Sequence, residues 1–304
     1  MSAVVVSTNL STAGVSAVKE LLADVTHALG FRPVSDQFWA DLVHPGLSPL
    51  VTAAIPQGNG PDLIAYAQAA ANESHADAWT VETVIAPGRV DDVATIGREL
   101  LAAIGQAVVA RGGRELTWLV QAPTKEHDAI AAACGLVVAR RLHQMRRPLP
   151  TGIDIDLVTR PFDAQRDVAE WVRVNARAFA WNPEQGGWTE ATLRSRMDEP
   201  WFDPNGFLIH ERDGRMAGFC WTKIHDDVEP RLGEIYVIGV DPDFQGLGLG
   251  RTLTLAGLGS LADRGIRTGM LFVDDDNVAA VRLYEKLGFE VHRTDAMYEK
   301  RLTS

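Results

Sequence analysis

The sequence has few cysteines and lacks any long apolar run. Its two cysteines, Cys134 and Cys220, are too few for a disulfide framework or a zinc cluster, and neither has a His or Cys at ligand spacing. No stretch has the length and apolarity of a membrane-spanning helix, and no basic segment followed by an apolar one opens the chain. These features predict a cytoplasmic protein with no metal, no membrane segment and no secretion signal.

The sequence also has fewer basic than acidic residues. The 304 residues carry 29 Lys and Arg against 40 Asp and Glu, a formal net charge of −11, which repels nucleic acid and acidic membrane surfaces. Two basic segments, 111–115 and 139–149, contain no aromatic residues for base stacking. With 46% hydrophobic and 23% charged residues, the composition is that of a packed globular protein. We expect a monomer that acts on small molecules, with neither nucleic acid nor membrane as a partner.

The chain contains an internal repeat with a constant offset of 153 residues. The offset carries Gly97-Arg98 onto Gly250-Arg251, "TWLV" (117–120) onto "MLFV" (270–273), and 134–147 onto 287–300. Prolines and a glycine in "RPLPTGID" (147–154) are typical of a short linker. The repeat therefore predicts two domains of similar plan, 1–149 and 153–304.

The second half alternates strand and helix patterns. "RDGR" (212–215) places an Asp-Gly turn between two apolar segments, which is the strongest short signal for a hairpin. The predicted order is a strand (156–162), a helix (163–180), the hairpin (206–225), a strand (232–242), a helix after the glycines, a strand (268–274), a helix (277–289) and a strand (296–302). This order predicts a mixed α/β layer architecture, and the first half shows a fainter version of it.

The glycine-rich stretch "DFQGLGLGR" (243–251) lies between a predicted strand and a predicted helix. It lacks the Lys-Ser/Thr pair of a Walker A loop, and Arg251 stands where the Rossmann fingerprint needs its third glycine. What remains is Q-x-x-G-x-G, in which glycines let successive backbone N–H groups face one concave site beside the helix N-terminus. The stretch therefore indicates an anion cradle suited to a pyrophosphate; the alternative is a turn that only allows close packing.

Two motifs together resemble the GNAT-type N-acetyltransferases. Their acetyl-CoA motif is Q/R-x-x-G-x-G/A after the fourth strand, and "NVAAVRLYEKLGF" (277–289) is similar to their second signature. The resemblance implies two tandem GNAT domains, each a mixed, mostly antiparallel sheet flanked by helices, with acetyl-CoA as co-substrate. It also implies acetyl-CoA contacts from Ile238, Gly239, Val240, Gln245, Gly246, Leu247, Gly248, Leu249, Gly250, Arg251, Asn277, Val278, Ala279, Ala280, Val281 and Arg282.

Two residues are candidates for the proton transfers of amine acetylation. The attacking amine must lose its proton, and a carboxylate can accept it; Glu234 stands where similar enzymes place such a base. The departing thiolate needs a proton, and Tyr284 matches the family's general acid. The alternatives are an exposed strand carboxylate and a core aromatic residue.

The first half has lost most of these residues. The offset places Val93 and Thr95 opposite Gly246 and Gly248, and Ala131 opposite Tyr284. We therefore expect a first domain without turnover. The resemblance leaves it at most a weak acetyl-CoA site at Thr83, Val84 and Ile85.

Further segments resemble one tandem GNAT family, the mycothiol synthases: "FAWNPEQGGW" (179–188), "GFCWTKIH" (218–225), "GEIYVIGVDP" (233–242) and "HQMRRPL" (143–149). The resemblance implies acetylation of the cysteinyl amine of a cysteine–glucosamine–inositol conjugate, desacetylmycothiol, which completes mycothiol. It implies substrate contacts from Asp36, Glu184, Lys223, Glu234 and Phe272, the last standing where the family has Tyr. Two alternatives stay open: a tandem GNAT enzyme for another small amine, such as an aminoglycoside or polyamine, and an acyl-CoA sensor without turnover.

Overall fold

A computed structural model of the chain describes residues 3–44, 50–58, 60–72, 75–88, 93–226 and 228–303, without the side chains of Pro183 and Glu184. The chain forms two compact units. Unit 1 comprises Met1–Leu142 and Arg293–Ser304, and unit 2 comprises His143–His292.

Unit 1 is built on a mixed sheet covered by helices. Its helices are α1 (Thr12–Leu29), α2 (Asp36–Val43), α3 (Val93–Val109) and α4 (Lys125–Ala133). Its strands are β1 (Val5–Ser7), β2 (Leu50–Pro56), β3 (Leu63–Ala71), β4 (Ala78–Ile85) and β5 (Glu115–Val120), and the sheet order is β1-β2-β3-β4-β5-β12, where β12 is Glu290–Arg301. Neighbouring strands are antiparallel except for β4 and β5, which are parallel.

Unit 2 repeats this plan. Its helices are α5 (Val168–Ala178), α6 (Pro183–Gly186), α7 (Glu190–Met197), α8 (Leu249–Asp263) and α9 (Val278–Lys286). Its strands are β6 (Val137–Pro148), β7 (Arg160–Pro161), β8 (Phe207–Arg212), β9 (Arg215–His225), β10 (Leu232–Val240) and β11 (Thr268–Asp274), in the order β6-β11-β10-β9-β8-β7. β10 and β11 are parallel, and β7 to β10 pair in antiparallel fashion.

The compact units do not comprise the same residues as the two halves of the sequence. Strand β12, at the end of the chain, pairs with β5 through Ala296–Arg301 and so completes the sheet of unit 1. Strand β6, at the end of the first half, continues from His143 into unit 2 and lies beside β11 there. The predicted domains, 1–149 and 153–304, therefore describe the repeat along the sequence, and each unit draws its last strand from the other half.

The offset of 153 is visible in the element bounds. It carries α4 onto α9 and β6 onto β12 residue for residue. The predicted hairpin also forms: Asp213 and Gly214 both have positive φ, +53° and +72°, as a type I′ turn requires. The match confirms that both halves follow one supersecondary plan.

Two predicted elements are shorter than expected. The helix predicted over 163–180 spans Val168–Ala178, because Asp163 and Asp167 form a turn in which the Asp167 carboxylate accepts a hydrogen bond from the Asp163 N–H. The strand predicted over 156–162 pairs only at Arg160–Pro161. Pro161 has no N–H to donate to a ladder, which limits pairing there.

The sheet of unit 2 separates two apolar cores. On one face, α8 and α9 pack through residues such as Leu253, Leu258 and Tyr284. On the other face, α5 and α7 pack through Trp171 and Leu193. Both cores contain side chains of β9 and β10, so these strands are held rigidly from both sides.

Candidate active site

Strands β10 and β11 diverge in the middle of the unit 2 sheet. They pair in register only from Gly233 to Ile235, opposite Gly269–Leu271, whereas the strands continue to Val240 and Asp274. Ile238, Gly239 and Val240 pair with β9 on their other side. The edge of β10 that faces β11 beyond Ile235 therefore offers backbone groups to a third extended segment, much as an added strand would use them.

A β-bulge lies just before this open edge. The β9–β10 register shifts between Ile235 and Val237. Tyr236 and Val237 consequently both pack on the α5 side of the sheet, while Ile235 and Ile238 pack on the α8 side. Bulges redirect side chains next to active sites, and this one lies two residues after Glu234.

The predicted cradle forms a turn at the N-terminus of α8. Gly246 and Gly248 have φ of +79° and +76°, a conformation that L side chains rarely adopt. Residues 245–248 are exposed, and Gly248 is the N-cap residue of α8. Unpaired N–H groups of the first helical turn and the positive end of the helix dipole favour an anion at this place. Leu249 is buried in the core, so only its backbone is available to a ligand.

A buried carboxylate that sequence reasoning missed anchors this turn. Asp241 is fully buried, and it accepts hydrogen bonds from Arg173 (3.1 Å) and Arg177 (3.0 Å) on α5. Burial alone would raise the pKa of Asp241, but these bonds and one from the Asp243 N–H hold it below its usual range. The network fixes α5 against the turn that leads to the cradle.

Glu234 is the middle residue of the short register in which β10 pairs with β11. Its side chain is mostly buried, and its Oε2 is 2.7 Å from Nε2 of His225 on β9. Lys223 is directly opposite Glu234 in the β9–β10 register. The Lys223 ammonium lies 4.9 Å from the ring centroid of Trp201. The structure thus groups a carboxylate, an imidazole and an ammonium on one face of the sheet.

Tyr284 lies on α9 within the core on the α8 side. Its side chain is only 8% exposed, and its ring packs edge-on against Phe289 at 5.9 Å. Burial raises the pKa of the Tyr284 hydroxyl. The group is therefore protonated at neutral pH and able to donate.

The remaining predicted ligand residues of unit 2 lie on α9 and β11. Asn277 is the N-cap of α9, and its Oδ1 accepts a hydrogen bond from the Ala280 N–H, so this side chain serves the helix. Val278, Ala279 and Arg282 are exposed, while Ala280, Val281 and Phe272 are half-buried. The exposed first turn of α9 is available to a ligand.

Curated relatives cover nearly the whole chain. A mycothiol acetyltransferase of Streptomyces coelicolor is 40% identical over 93% of this chain and 90% of its own length. One of Mycobacteroides abscessus is 40% identical over 92% of this chain and 94% of its own length. The chain belongs to the mycothiol acetyltransferase family. Membership makes it an N-acetyltransferase of mycothiol biosynthesis that takes its acetyl group from acetyl-CoA.

A family model and a solved structure agree with this assignment. The acetyltransferase (GNAT) family model matches residues 173–289, all within unit 2. A tandem GNAT protein from the clavulanic acid biosynthesis pathway has a TM-score of 0.70 at 18% identity, covering 99% of this chain and 98% of its own. The predicted tandem GNAT fold is confirmed.

Two of the predicted substrate residues are not part of the site described above. Asp36 is the first residue of α2 in unit 1, and its carboxylate lies 2.6 Å from Arg32. The side chain of Glu184 lies outside the described residues.

In unit 1 of this family member, a tryptophan crosses the corresponding strand opening. β4 and β5 pair only over Ala78–Val81 opposite Glu115–Trp118, although β4 continues to Ile85. The Trp118 indole N–H donates to Thr83 Oγ1 at 3.1 Å, and the ring lies 5.8 Å from that of His127 in the first turn of α4. The indole thus spans from β4 to α4, beside predicted residues Thr83, Val84 and Ile85.

Helices α3 and α4 of unit 1 leave less space at their contact than α8 and α9 of unit 2. A Cβ on Gly97 of α3 would lie 2.8 Å from Ile130 of α4, whereas one on Gly250 of α8 would lie 3.7 Å from Leu283 of α9. The offset of 153 relates both pairs. Val93 and Thr95, the counterparts of Gly246 and Gly248, are helical residues of α3. Gly97 therefore serves close packing, the alternative function considered for the glycine stretch.

Neither a metal centre nor a membrane helix is found in the part of the chain that the structure describes. Within those ranges, His, Cys, Asp and Glu side chains form no group of three or more that could hold a metal ion. The described helices include none that is both long and apolar enough to span a membrane.

Proposed function

We propose that unit 2 transfers acetyl from acetyl-CoA to the cysteinyl amine of a cysteine–glucosamine–inositol conjugate, with Glu234 as general base and Tyr284 as general acid. The observation that carries this proposal is the position of Glu234. This buried carboxylate lies one residue before β10 parts from β11, opposite Lys223 of β9.

The proposed reaction follows from the groups at this point. Glu234 takes a proton from the ammonium of the acceptor, and the free amine attacks the thioester carbonyl. Backbone N–H groups beyond the bulge, at Ile238–Val240, stabilise the oxyanion that forms. The nitrogen of the tetrahedral intermediate then loses its second proton to solvent. When the C–S bond breaks, the Tyr284 hydroxyl gives its proton to the thiolate, and a proton from solvent restores the hydroxyl. The sum is an amide, a free thiol and one released proton.

The donor is held by two features of unit 2. The turn at Gly246–Gly248 receives the pyrophosphate, since its backbone is exposed at a helix N-terminus. The open edge of β10 pairs with the amide-bearing arm that links pyrophosphate and thioester. Arg251 and Arg282, both exposed, add positive charge beside these features.

The acceptor is assigned from the relatives and from the chemistry of the α5 side. The relatives carry the name mycothiol acetyltransferase, and the conjugate has a cationic amine and many hydroxyl groups. Opposite Glu234, the Lys223 ammonium lies over the rings of Trp201 and Tyr236. The ammonium can donate hydrogen bonds to the hydroxyl groups, the rings offer flat faces to the sugar, and the Glu234 carboxylate suits the cationic amine. Asp36, Glu184 and Phe272 remain proposed contacts.

We further propose that unit 1 has no turnover and no acetyl-CoA site. Three positions related by the offset of 153 carry a ring in unit 1 and a side chain without a ring in unit 2. The pairs are Trp118 and Leu271, His127 and Ala280, and Tyr298 and Met145. Trp118 and Tyr298 are fully buried in contact with each other, 5.4 Å between ring centroids. This packing disfavours the weak site predicted at Thr83–Ile85, because the indole occupies the path that the donor arm takes in unit 2.

The acceptor assignment is tested by thiol release from acetyl-CoA with a panel of amines. The panel contains the cysteinyl conjugate, the same glucosamine–inositol without cysteine, an aminoglycoside and spermidine. We expect kcat/KM for the cysteinyl conjugate to exceed that for each other amine by about 100-fold or more, since hydrogen-bonding sites reject ligands that leave them unpaired. Equal values across the panel would contradict the acceptor and leave the acetyltransferase intact.

A further inference from the structure

His225 is the last residue of β9 and a diagonal neighbour of Glu234. In the β9–β10 register, Glu234 is opposite Lys223 and His225 is opposite Leu232. Side chains two residues apart on a strand share a face, so His225 and Glu234 lie on one side of the sheet. Their Nε2 and Oε2 atoms are 2.7 Å apart, and the side chains are 16% and 9% exposed.

The direction of this hydrogen bond follows from the chemistry of the partners. An ionised carboxylate only accepts hydrogen bonds, so His225 carries the proton on Nε2 and donates it to Oε2. Glu234 then keeps Oε1 for the proton of the acceptor amine.

We propose that His225 is a positioning residue, which holds the Glu234 carboxylate so that Oε1 faces the acceptor amine. The proposal rests on the assignment of Glu234 as general base. Glu234 lies just before the β-bulge, where β10 leaves its regular register. A carboxylate bound only through its own rotatable bonds at this place would sample several orientations. The bond to His225, on a strand held between two cores, selects one of them.

The experiment compares two substitutions of the full-length enzyme, His225→Leu and His225→Gln, by steady-state kinetics with acetyl-CoA and the best acceptor. Leu removes the donor, whereas the Gln amide can place an N–H near the same position. We expect His225→Leu to lower kcat by about 10- to 100-fold, because the lost bond joins a donor to a charged group. The KM for acetyl-CoA and the melting temperature should change little, and His225→Gln should recover most of the kcat.

Glu234→Gln serves as the reference variant. If it is inactive while His225→Leu turns over like wild type, the positioning proposal is overturned and the base assignment stands. If His225→Gln is as slow as His225→Leu, the hydrogen bond is not the reason for the loss, which also overturns the proposal. Full activity of Glu234→Gln would instead contradict the proposed function. Should His225→Leu fail to fold, His225→Asn, whose amide is too short to reach Oε2, takes its place with the same expectation.

Discussion

Two buried glutamates show how surroundings decide what a carboxylate can do. Glu234 is hydrogen-bonded to His225 near the open edge of β10. Glu82, on β4 of unit 1, is 5% exposed and is held by Ser35 at the start of α2, whose N–H donates to Oε2 at 2.8 Å and whose hydroxyl donates to Oε1. The Glu82 carboxylate thereby holds the start of α2, whereas Glu234 is the residue that we propose as the general base.

The surroundings of Glu82 predict a pH-dependent stability. Burial raises the pKa of Glu82 to about 7, although Ser35 and Arg32 oppose the shift. The folded state therefore binds a proton that the unfolded state has released, and the free energy of unfolding falls as pH rises from about 4.5 to 7. Glu82→Gln should remove up to roughly 3 kcal/mol of this decline. Urea unfolding of both proteins at several pH values measures it.

The matched control for this prediction is Glu20→Gln, an exposed carboxylate on α1 of the same unit. Its unfolding free energy should follow the wild-type pH dependence. Parallel curves for wild type and Glu82→Gln would show that Glu82 does not titrate in this range.

At the level of single elements, helix α8 is flanked by two glycines with similar backbone conformations. Gly248 precedes α8 and Gly265 follows it, with φ of +76° and +81° and open space around each. An Ala at either position costs about 1–2 kcal/mol, because L residues are strained there. About 22 Å of helix separates the two positions, so only Gly248 lies at the proposed pyrophosphate turn.

Gly248→Ala and Gly265→Ala should therefore lower the melting temperature by similar amounts. Only Gly248→Ala should weaken acetyl-CoA binding, by about 10-fold or more, because strain there moves N–H groups that bond to a charged ligand. Differential scanning fluorimetry and calorimetric titration supply the two values. Equal acetyl-CoA affinities in the two variants would contradict the proposal that the turn at Gly248 binds the donor.

The sequence predicts elements well where a local signal defines them. β11 has the predicted bounds of 268–274, and α9 ends before Gly288, whose φ is +82°. The Asp213-Gly214 turn fixes the hairpin. The pairing of His225 with Glu234 could not be predicted, because it depends on the register between β9 and β10 and no local pattern specifies that register. The side-chain directions around Tyr236 depend on the β-bulge and could not be predicted from the sequence either.

At the scale of the whole molecule, the repeat was visible and the exchange of final strands was not. β6 and β12 occupy corresponding positions of the repeat, 153 residues apart, and both are long strands after a helix and a glycine. By sequence pattern alone, either strand could take the last place in the strand order of either unit. Only tertiary pairing decides that β12 joins β5, so the predicted division at 149–153 could not anticipate the composition of the two compact units.

The two units keep one fold but differ where their parallel strands part. Unit 1 retains the parting of parallel strands, but Trp118 crosses it and α3 packs tightly on α4 through Gly97. Unit 2 keeps the corresponding space lined by smaller side chains. We propose that this packing leaves unit 1 without a donor site, so that one chain works with one active site.

The stoichiometry of acetyl-CoA binding is the direct test of a single active site per chain. Isothermal titration calorimetry of the full-length protein with acetyl-CoA counts the sites per chain without requiring turnover. We predict one site, which Gly248→Ala weakens, because Trp118 spans the parting of β4 and β5 in the described part of unit 1, whereas the corresponding edge of β10 in unit 2 is open. A second site, unaffected by Gly248→Ala, would contradict the account and would place a donor in unit 1 despite Trp118.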